Sequence, residues 1–268
     1  MPNGIRPQTL YLRVSQRGLA FVLYEQHEQP SLVFHPHAVV PTASLAVNLK
    51  EILHTEPLAQ ERFESVRVTV DARYTLVPLN EFLEEDCETL FRYNFSYAEP
   101  MRTFYDTLPV SNAVVLFAMP ESACRQIEDY LGDVTYTCTM TPVLSHFAQK
   151  NRSVVGKRQL YAYLHEQKMN VAAFEDGRLM LANTFSVLAT DDVAYYLLFI
   201  FRQLGWNKAE DTILVAGENH ERDEAVYTLR RYVKEVYPVN PTAEYNRHPV
   251  ACRNDIPYDL TTLLLQVY

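Results

Sequence analysis

The sequence predicts a two-domain α/β protein built from a repeated unit. Three observations carry this. Residues 9–15, 20–25 and 31–39 read as short strands followed by an amphipathic helix at 44–54, and the order returns as strands at 158–166, 169–175 and 178–187 followed by a helix at 191–204. Each half then continues with an apolar strand and another helix, which is the alternation of an α/β unit with a mixed sheet. At 268 residues, the chain is long enough for two units that each bury a core. The polar stretch 151–156, closed by Gly156, marks the boundary and gives domains 1–150 and 151–268.

The elements follow in order. Leu10, Leu12 and Val14 alternate with Tyr11 and Arg13, the period of a half-buried strand. Ser15-Gln16-Arg17-Gly18 turns the chain, with Gly18 suited to the positive φ of a tight hairpin. Phe21-Val22-Leu23-Tyr24 is the second strand, 26–30 a turn and Leu32-Val33-Phe34 the third strand. Leu45, Ala46, Leu49, Ile52 and Leu53 share one helix face. Residues 65–70 and 74–78 are extended, and 80–91 read as a helix capped by Asn80. Residues 92–112 lack a period and read as an insertion or long loop. A core strand at 113–118, a helix at 121–131, a strand at 134–139 and a helix at 141–150 starting from Thr141-Pro142 complete the first half.

In the second half, Leu160, Ala162 and Leu164 alternate with tyrosines and His165, Gln167-Lys168 turns into the next strand, and Asp176-Gly177 is a two-residue hairpin signal. The run Val-Ala-Tyr-Tyr-Leu-Leu-Phe-Ile-Phe at 193–201 falls short of the roughly 20 residues of a membrane span and reads as a helix buried on nearly all sides, with Gly205 as its cap. A buried strand at 212–216 ends at Gly217. Ala225, Val226, Leu229, Val233 and Val236 form one stripe of a helix over 221–236, and a last helix covers 259–267.

Composition excludes several classes. With 48% hydrophobic and 21% charged residues, the chain is an ordinary globular protein. A net charge of −9 argues against a general nucleic-acid binder. Four scattered cysteines, with no C-x-x-C and no paired His spacing, argue against a zinc site. No signal-like N-terminus is visible, so the expected location is the reduced cytoplasm, without membrane insertion.

Strand pattern and the segments Leu10 to Tyr24, Tyr74-Thr75-Leu76-Val77-Pro78 and Gln159 to Asn183 resemble, over the full length, an uncharacterised bacterial family of unknown function. Its fold is the tandem ribonuclease H-like fold of the actin-like ATPases. The resemblance implies two mixed sheets flanked by helices and facing each other across a cleft near 151–156. It also implies phosphate loops at the first hairpin of each half and an adenosine motif at a later strand-to-helix turn. Tested on this chain, those loops are degraded. Ser15-Gln16-Arg17-Gly18 keeps a hydroxyl and a glycine but has no aspartate. Glu166-Gln167-Lys168 has no glycine, and Ala216-Gly217-Glu218-Asn219 keeps one glycine amid acids. Ser15, Arg17, Gly18, Glu166, Lys168, Gly217 and Glu218 are the candidate cofactor-binding residues, for ATP and Mg²⁺ if any cofactor binds, and no catalytic residue is assigned.

Asp71 follows a strand where α/β sheets bind ligands, and it also reads as a turn aspartate. His35-Pro36-His37 resembles a metal pair, but without a third ligand in view it reads as two solvent-facing histidines, so no metal is assigned. The aromatic-rich stretch from Phe91 to Tyr105 suggests a surface for a protein partner or a homodimer. Two functional readings follow: a non-catalytic or weakly nucleotide-binding scaffold, and an ATP-dependent phosphotransferase or ATPase whose Arg17, Gly18, Glu166, Lys168 and Gly217 converge on one cleft. A small-ligand sensor uses the same cleft.

Overall fold

The computed structural model describes residues 6–25 and 31–266; the expected turn at 26–30 and Val267 of the expected last helix lie outside the described residues. The chain forms two compact units, Met1–Leu108 with Asn112–Thr141 and Pro109–Ser111 with Pro142–Tyr268.

The first unit opens with β1 (Arg6–Val14), β2 (Gly18–Glu25), β3 (Ser31–Ala38), α1 (Leu45–Thr55) and β4 (Phe63–Val70). It continues through β5 (Tyr74–Pro78), α2 (Cys87–Asn94), β6 (Met101–Leu108), β7 (Ala113–Pro120), α3 (Glu121–Leu131) and β8 (Thr135–Cys138). Five strands form a mixed sheet in the order β3-β2-β1-β4-β8. Leu12 on β1 faces Phe21 of antiparallel β2 and Val68 of parallel β4, all fully buried. Ser44 caps α1, its hydroxyl accepting from the Val47 N–H. The inserted strands form a separate sheet, β5-β7-β6.

Two expectations fail in this unit. Residues 80–91 are not one helix: two 3₁₀ turns, Leu79–Glu81 and Glu84–Asp86, precede α2. The acids of 84–86 crowd just before the α2 N-terminus, where the helix dipole favours negative charge. Residues 92–112 are not a loop, because β6 runs through them. Its alternation is disguised by polar residues on the inner side. Arg102 pairs with Glu128, Phe104 lies against Phe117 and Tyr136, and Asp106 accepts from the Cys138 N–H. The aromatics of this stretch accordingly pack mainly on their own unit. Phe91 is 2% exposed, and Phe95, Tyr97 and Met101 cluster around it.

α4 (Met140–Asn151) leads into β9 (Arg158–His165), β10 (Lys168–Glu175), β11 (Arg178–Ser186), α5 (Thr190–Leu204), β12 (Thr212–Gly217), α6 (Asn219–Leu229), β13 (Glu235–Pro238), the short α7 (Pro241–Glu244) and α8 (Tyr258–Leu265). The second sheet is β11-β10-β9-β12-β13, again antiparallel from β9 to β11 and parallel from β9 to β13. β9 is buried on both faces. Leu160, Ala162 and Leu164 meet the core that includes Val193, Leu197 and Leu229, while Tyr161 stacks on Phe147 of α4 and Tyr163 lies against Tyr258 of α8. Asp176 and Gly177 take left-handed φ values of 50° and 77°, the conformation of the predicted two-residue turn.

Two expectations fail here. The helix over 221–236 ends at Leu229, and its last residues become β13. Their spacing fits either element, but Arg230 folds back to donate two hydrogen bonds to the Val236 carbonyl, 3.1 and 3.0 Å, and Val236 pairs with Ile213. α5 is not buried all round: Tyr195 is 65% and Phe199 38% exposed, so its aromatic run divides between core and surface.

Candidate functional site

The second unit contains a cavity of about 290 Å³ where the β9–β10 turn meets the N-terminal ends of α5 and α6. Leu164, Lys168, Thr190, His220, Glu221 and Glu224 line it. The turn is Glu166-Gln167 at φ 48° and 60°, a left-handed pair without glycine or asparagine. Lys168 closes the hairpin opposite His165.

Gly217 is the ladder partner of Leu164, which lines the cavity. It ends β12 at φ +141°, and a Cβ there would stand 2.6 Å from the Leu164 carbonyl oxygen. Close approach to a neighbouring strand therefore demands the glycine, with or without a ligand. Glu218 follows as the residue before α6 and makes no side-chain capping bond.

The electrostatics oppose a phosphate. Glu221 and Glu224 line the same cavity as Lys168. The amides of Leu188 and Ala189, at the start of α5, already donate to the Asp192 carboxylate at 2.8 and 3.1 Å. A carboxylate of the chain thus occupies a helix end that could otherwise receive an anion.

In the first unit, Ser15, Arg17 and Gly18 share one hairpin. The Ser15 hydroxyl donates to the Gly18 carbonyl at 2.9 Å and accepts from the Arg17 and Gly18 N–H groups at 3.2 and 3.0 Å. One donor and two acceptor positions exhaust a hydroxyl. Ser15 is 2% exposed, so this bonding is internal to the turn. Gly18 does not adopt the positive φ expected of it; its backbone lies close to β3, and a Cβ would meet the His37 carbonyl oxygen at 3.2 Å. Arg17 is exposed. The candidates thus fall into one hairpin in the first unit and, in the second, the β9–β10 turn with the cavity-lining Lys168 and the β12–α6 turn with Gly217 and Glu218.

Asp71 donates its N–H to the Val14 carbonyl, 2.8 Å, just past β4. Asp106 escaped the sequence reading. Its carboxylate accepts from the Cys138 N–H at 2.8 Å and the Thr141 hydroxyl at 2.6 Å, yet burial pushes its pKa up beyond what those bonds offset. It ties β6 to the end of β8. His35 and His37, expected to face solvent, have side chains 44% and 28% exposed, and both also hydrogen-bond one buried carboxylate, Glu56.

No curated protein matches the chain. Among solved structures, a Bacteroides thetaiotaomicron protein with an actin-like ATPase fold and unknown function is similar with a TM-score of 0.84 at 26% identity, covering 98% of this chain and 97% of that one. A chain of the PilM-PilN type IV pilus biogenesis complex is similar in fold, with a TM-score of 0.61 at 14% identity, 97% of this chain and 98% of that one. Two mixed five-stranded sheets with flanking helices are accordingly the actin-like ATPase fold. Among the described residues, no helix is long and apolar enough to cross a membrane. Residues 3–236 match the family described as "Protein of unknown function (DUF3822)", and the chain belongs to that family.

Proposed function

We propose that the chain is an actin-like scaffold of the bacterial cytoplasm that holds a protein partner and does not turn over nucleotide. The observation that carries this is the Ser15 turn. Phosphoryl transfer needs phosphates held by positioned donors and a metal. Here the Arg17 and Gly18 amides that would cradle a phosphate are bound to the Ser15 hydroxyl. Glu221 and Glu224, which line the cavity together with Lys168, support the same reading. The neighbour in the PilM-PilN complex assembles with another protein on the same fold, an analogy at the level of fold.

Thermal unfolding of the full chain with and without millimolar ATP and Mg²⁺ tests this. A native-state ligand at a hundred times its Kd adds about 2.7 kcal/mol, a shift of several degrees. No shift and no phosphate release are expected. A shift abolished by Arg17→Ala and Lys168→Ala, with measurable phosphate release, would overturn the reading in favour of an ATPase.

A further inference from the structure

The cavity of the second unit has a lining that is part apolar and part acidic. Leu164, Val187, Val193 and Ala225 line it as buried members of the surrounding core, and Leu188 in the same lining is 81% exposed. Glu221 and Glu224, both exposed, come from the first two turns of α6. Three residues apart, they are neighbours on the helix surface.

The helix dipoles account for only part of this charge. Asp192 already answers the start of α5 by accepting from the Leu188 and Ala189 N–H groups. Glu221 stands in the first turn of α6, where negative charge is favoured. Glu224 lies beyond that turn, where the pull of the dipole has faded. Arg222, the one Lys or Arg of α6, is committed elsewhere: its Nε donates to Asp223 at 2.8 Å and its Nη1 to the Val239 carbonyl at 3.2 Å. Among the described residues, neither the Glu221 nor the Glu224 carboxylate has a hydrogen bond or ion pair. They do not gather with His220 closely enough to share a metal ion. A molecular cation is the ligand this lining suits, and the two carboxylates outnumber the single ammonium, Lys168.

We propose that the cavity receives a lysine or arginine side chain from an extended segment of a protein partner, with an apolar residue of that segment against Leu188. The site rests on the scaffold reading and gives the partner its chemistry. At about 290 Å³ the cavity lies just under the roughly 300–1,000 Å³ that drug-sized ligands fill, which suits one side chain better than a nucleotide. Lysine and arginine lay their methylene stems along apolar surface and keep the charged head in polar surroundings, and this lining supplies both. The net charge of −9 adds a field that favours the approach of a basic segment.

The test uses the full chain and the synthetic peptide acetyl-Gly-Leu-Lys-Leu-Gly-amide, titrated by calorimetry and by amide NMR. Saturable binding of one peptide per chain is expected, with shifts at the starts of α5 and α6. The double variant Glu221→Gln/Glu224→Gln changes two exposed side chains isosterically and should bind roughly tenfold more weakly. The same peptide acetylated on its lysine should bind the parent with the same loss and be indifferent to the double variant. Equal affinity of the parent for both peptides overturns the proposal, as does undiminished binding in the double variant or no binding at millimolar peptide. n-Butylammonium binding as tightly as the peptide overturns it in favour of a small-amine site. ATP with Mg²⁺ on the same preparation separates the two readings. A nucleotide-induced thermal shift with phosphate release defeats the scaffold, whereas a missing peptide response without that shift defeats this site alone.

Discussion

Gly217→Ala separates a residue required by the fold from one kept for a nucleotide. The new Cβ would lie 2.6 Å from the Leu164 carbonyl oxygen and 3.0 Å from Leu164 Cβ, at a φ of +141°. Leu164 is also the ladder partner of Gly217 on β9 and is 3% exposed, so relief requires moving two hydrogen-bonded strands inside a packed sheet. Forcing an L-residue into that backbone region costs about 1–3 kcal/mol, and overpacking a buried contact costs about 1–3 kcal/mol more. A loss of about 4 kcal/mol in a unit of roughly 130 residues corresponds to a fall of about 12–15 °C in its melting temperature. Differential scanning calorimetry of the full chain without nucleotide would record it, with the two units treated as separate transitions where they resolve. If Gly217 serves a nucleotide instead, the ligand-free variant should melt like the parent and lose only a ligand-induced shift. A ligand-free melting temperature within about 2 °C of the parent, the range of a neutral surface change, would refute the steric reasoning.

The β9–β10 turn makes a prediction of opposite sign: Gln167→Gly relieves a left-handed φ of 60° and should stabilise the second unit by about 0.5–1 kcal/mol, whereas an unchanged or lower urea midpoint would count against strain in the turn. His146 makes the second unit acid-sensitive. Burial, then the Lys150 ammonium, push its pKa down to about 4, while an unfolded histidine titrates near ~6.5. Glu244 lies 3.4 Å away but is already paired with Lys150 and accepts from the Tyr258 hydroxyl. Between those two pKa values the unfolded chain binds the extra proton, so stability falls as pH drops, by about 2 kcal/mol from pH 7 to 5. Urea unfolding at both pH values should show this loss in the parent and not in His146→Gln; equal losses in the two proteins would refute it.

The repeat was legible because its signals are local. Leu45, Ala46, Leu49, Ile52 and Leu53 mark the α1 face by their spacing alone, Asp176-Gly177 makes its turn from two adjacent residues, and Gly205 ends α5 at a left-handed φ of 67°. β6 and β13 were not legible, since what makes them strands lies elsewhere in the chain. Arg102 and Asp106 take inner positions only because Glu128 and Cys138 meet them, and the stripe Val233 and Val236 leaves the helix because β12 offers a parallel partner. Glu56 belongs to the same class: it meets His35 and His37 across 21 and 19 residues of sequence.

The candidate nucleotide residues show a subtler limit. Ser15 and Gly217 were rightly found at a hairpin turn and a strand-to-helix turn, and a hydroxyl and a glycine are also what a phosphate loop requires. Sequence alone cannot divide those two demands. The structure supplies a sufficient cause for each without a ligand: the Ser15 hydroxyl spends all its hydrogen-bonding capacity inside its own turn, and Gly217 is needed wherever β12 approaches Leu164 so closely. Once the fold accounts for both residues, their presence stops counting as support for catalysis. What remains around those turns is acidic: Glu221 and Glu224 line the cavity with Lys168, and Asp192 closes the start of α5. All three carboxylates disfavour an anion. A chain under demand to hold triphosphate would have the opposite charge at these positions, whereas a scaffold that uses the fold for its shape has no reason to keep them basic.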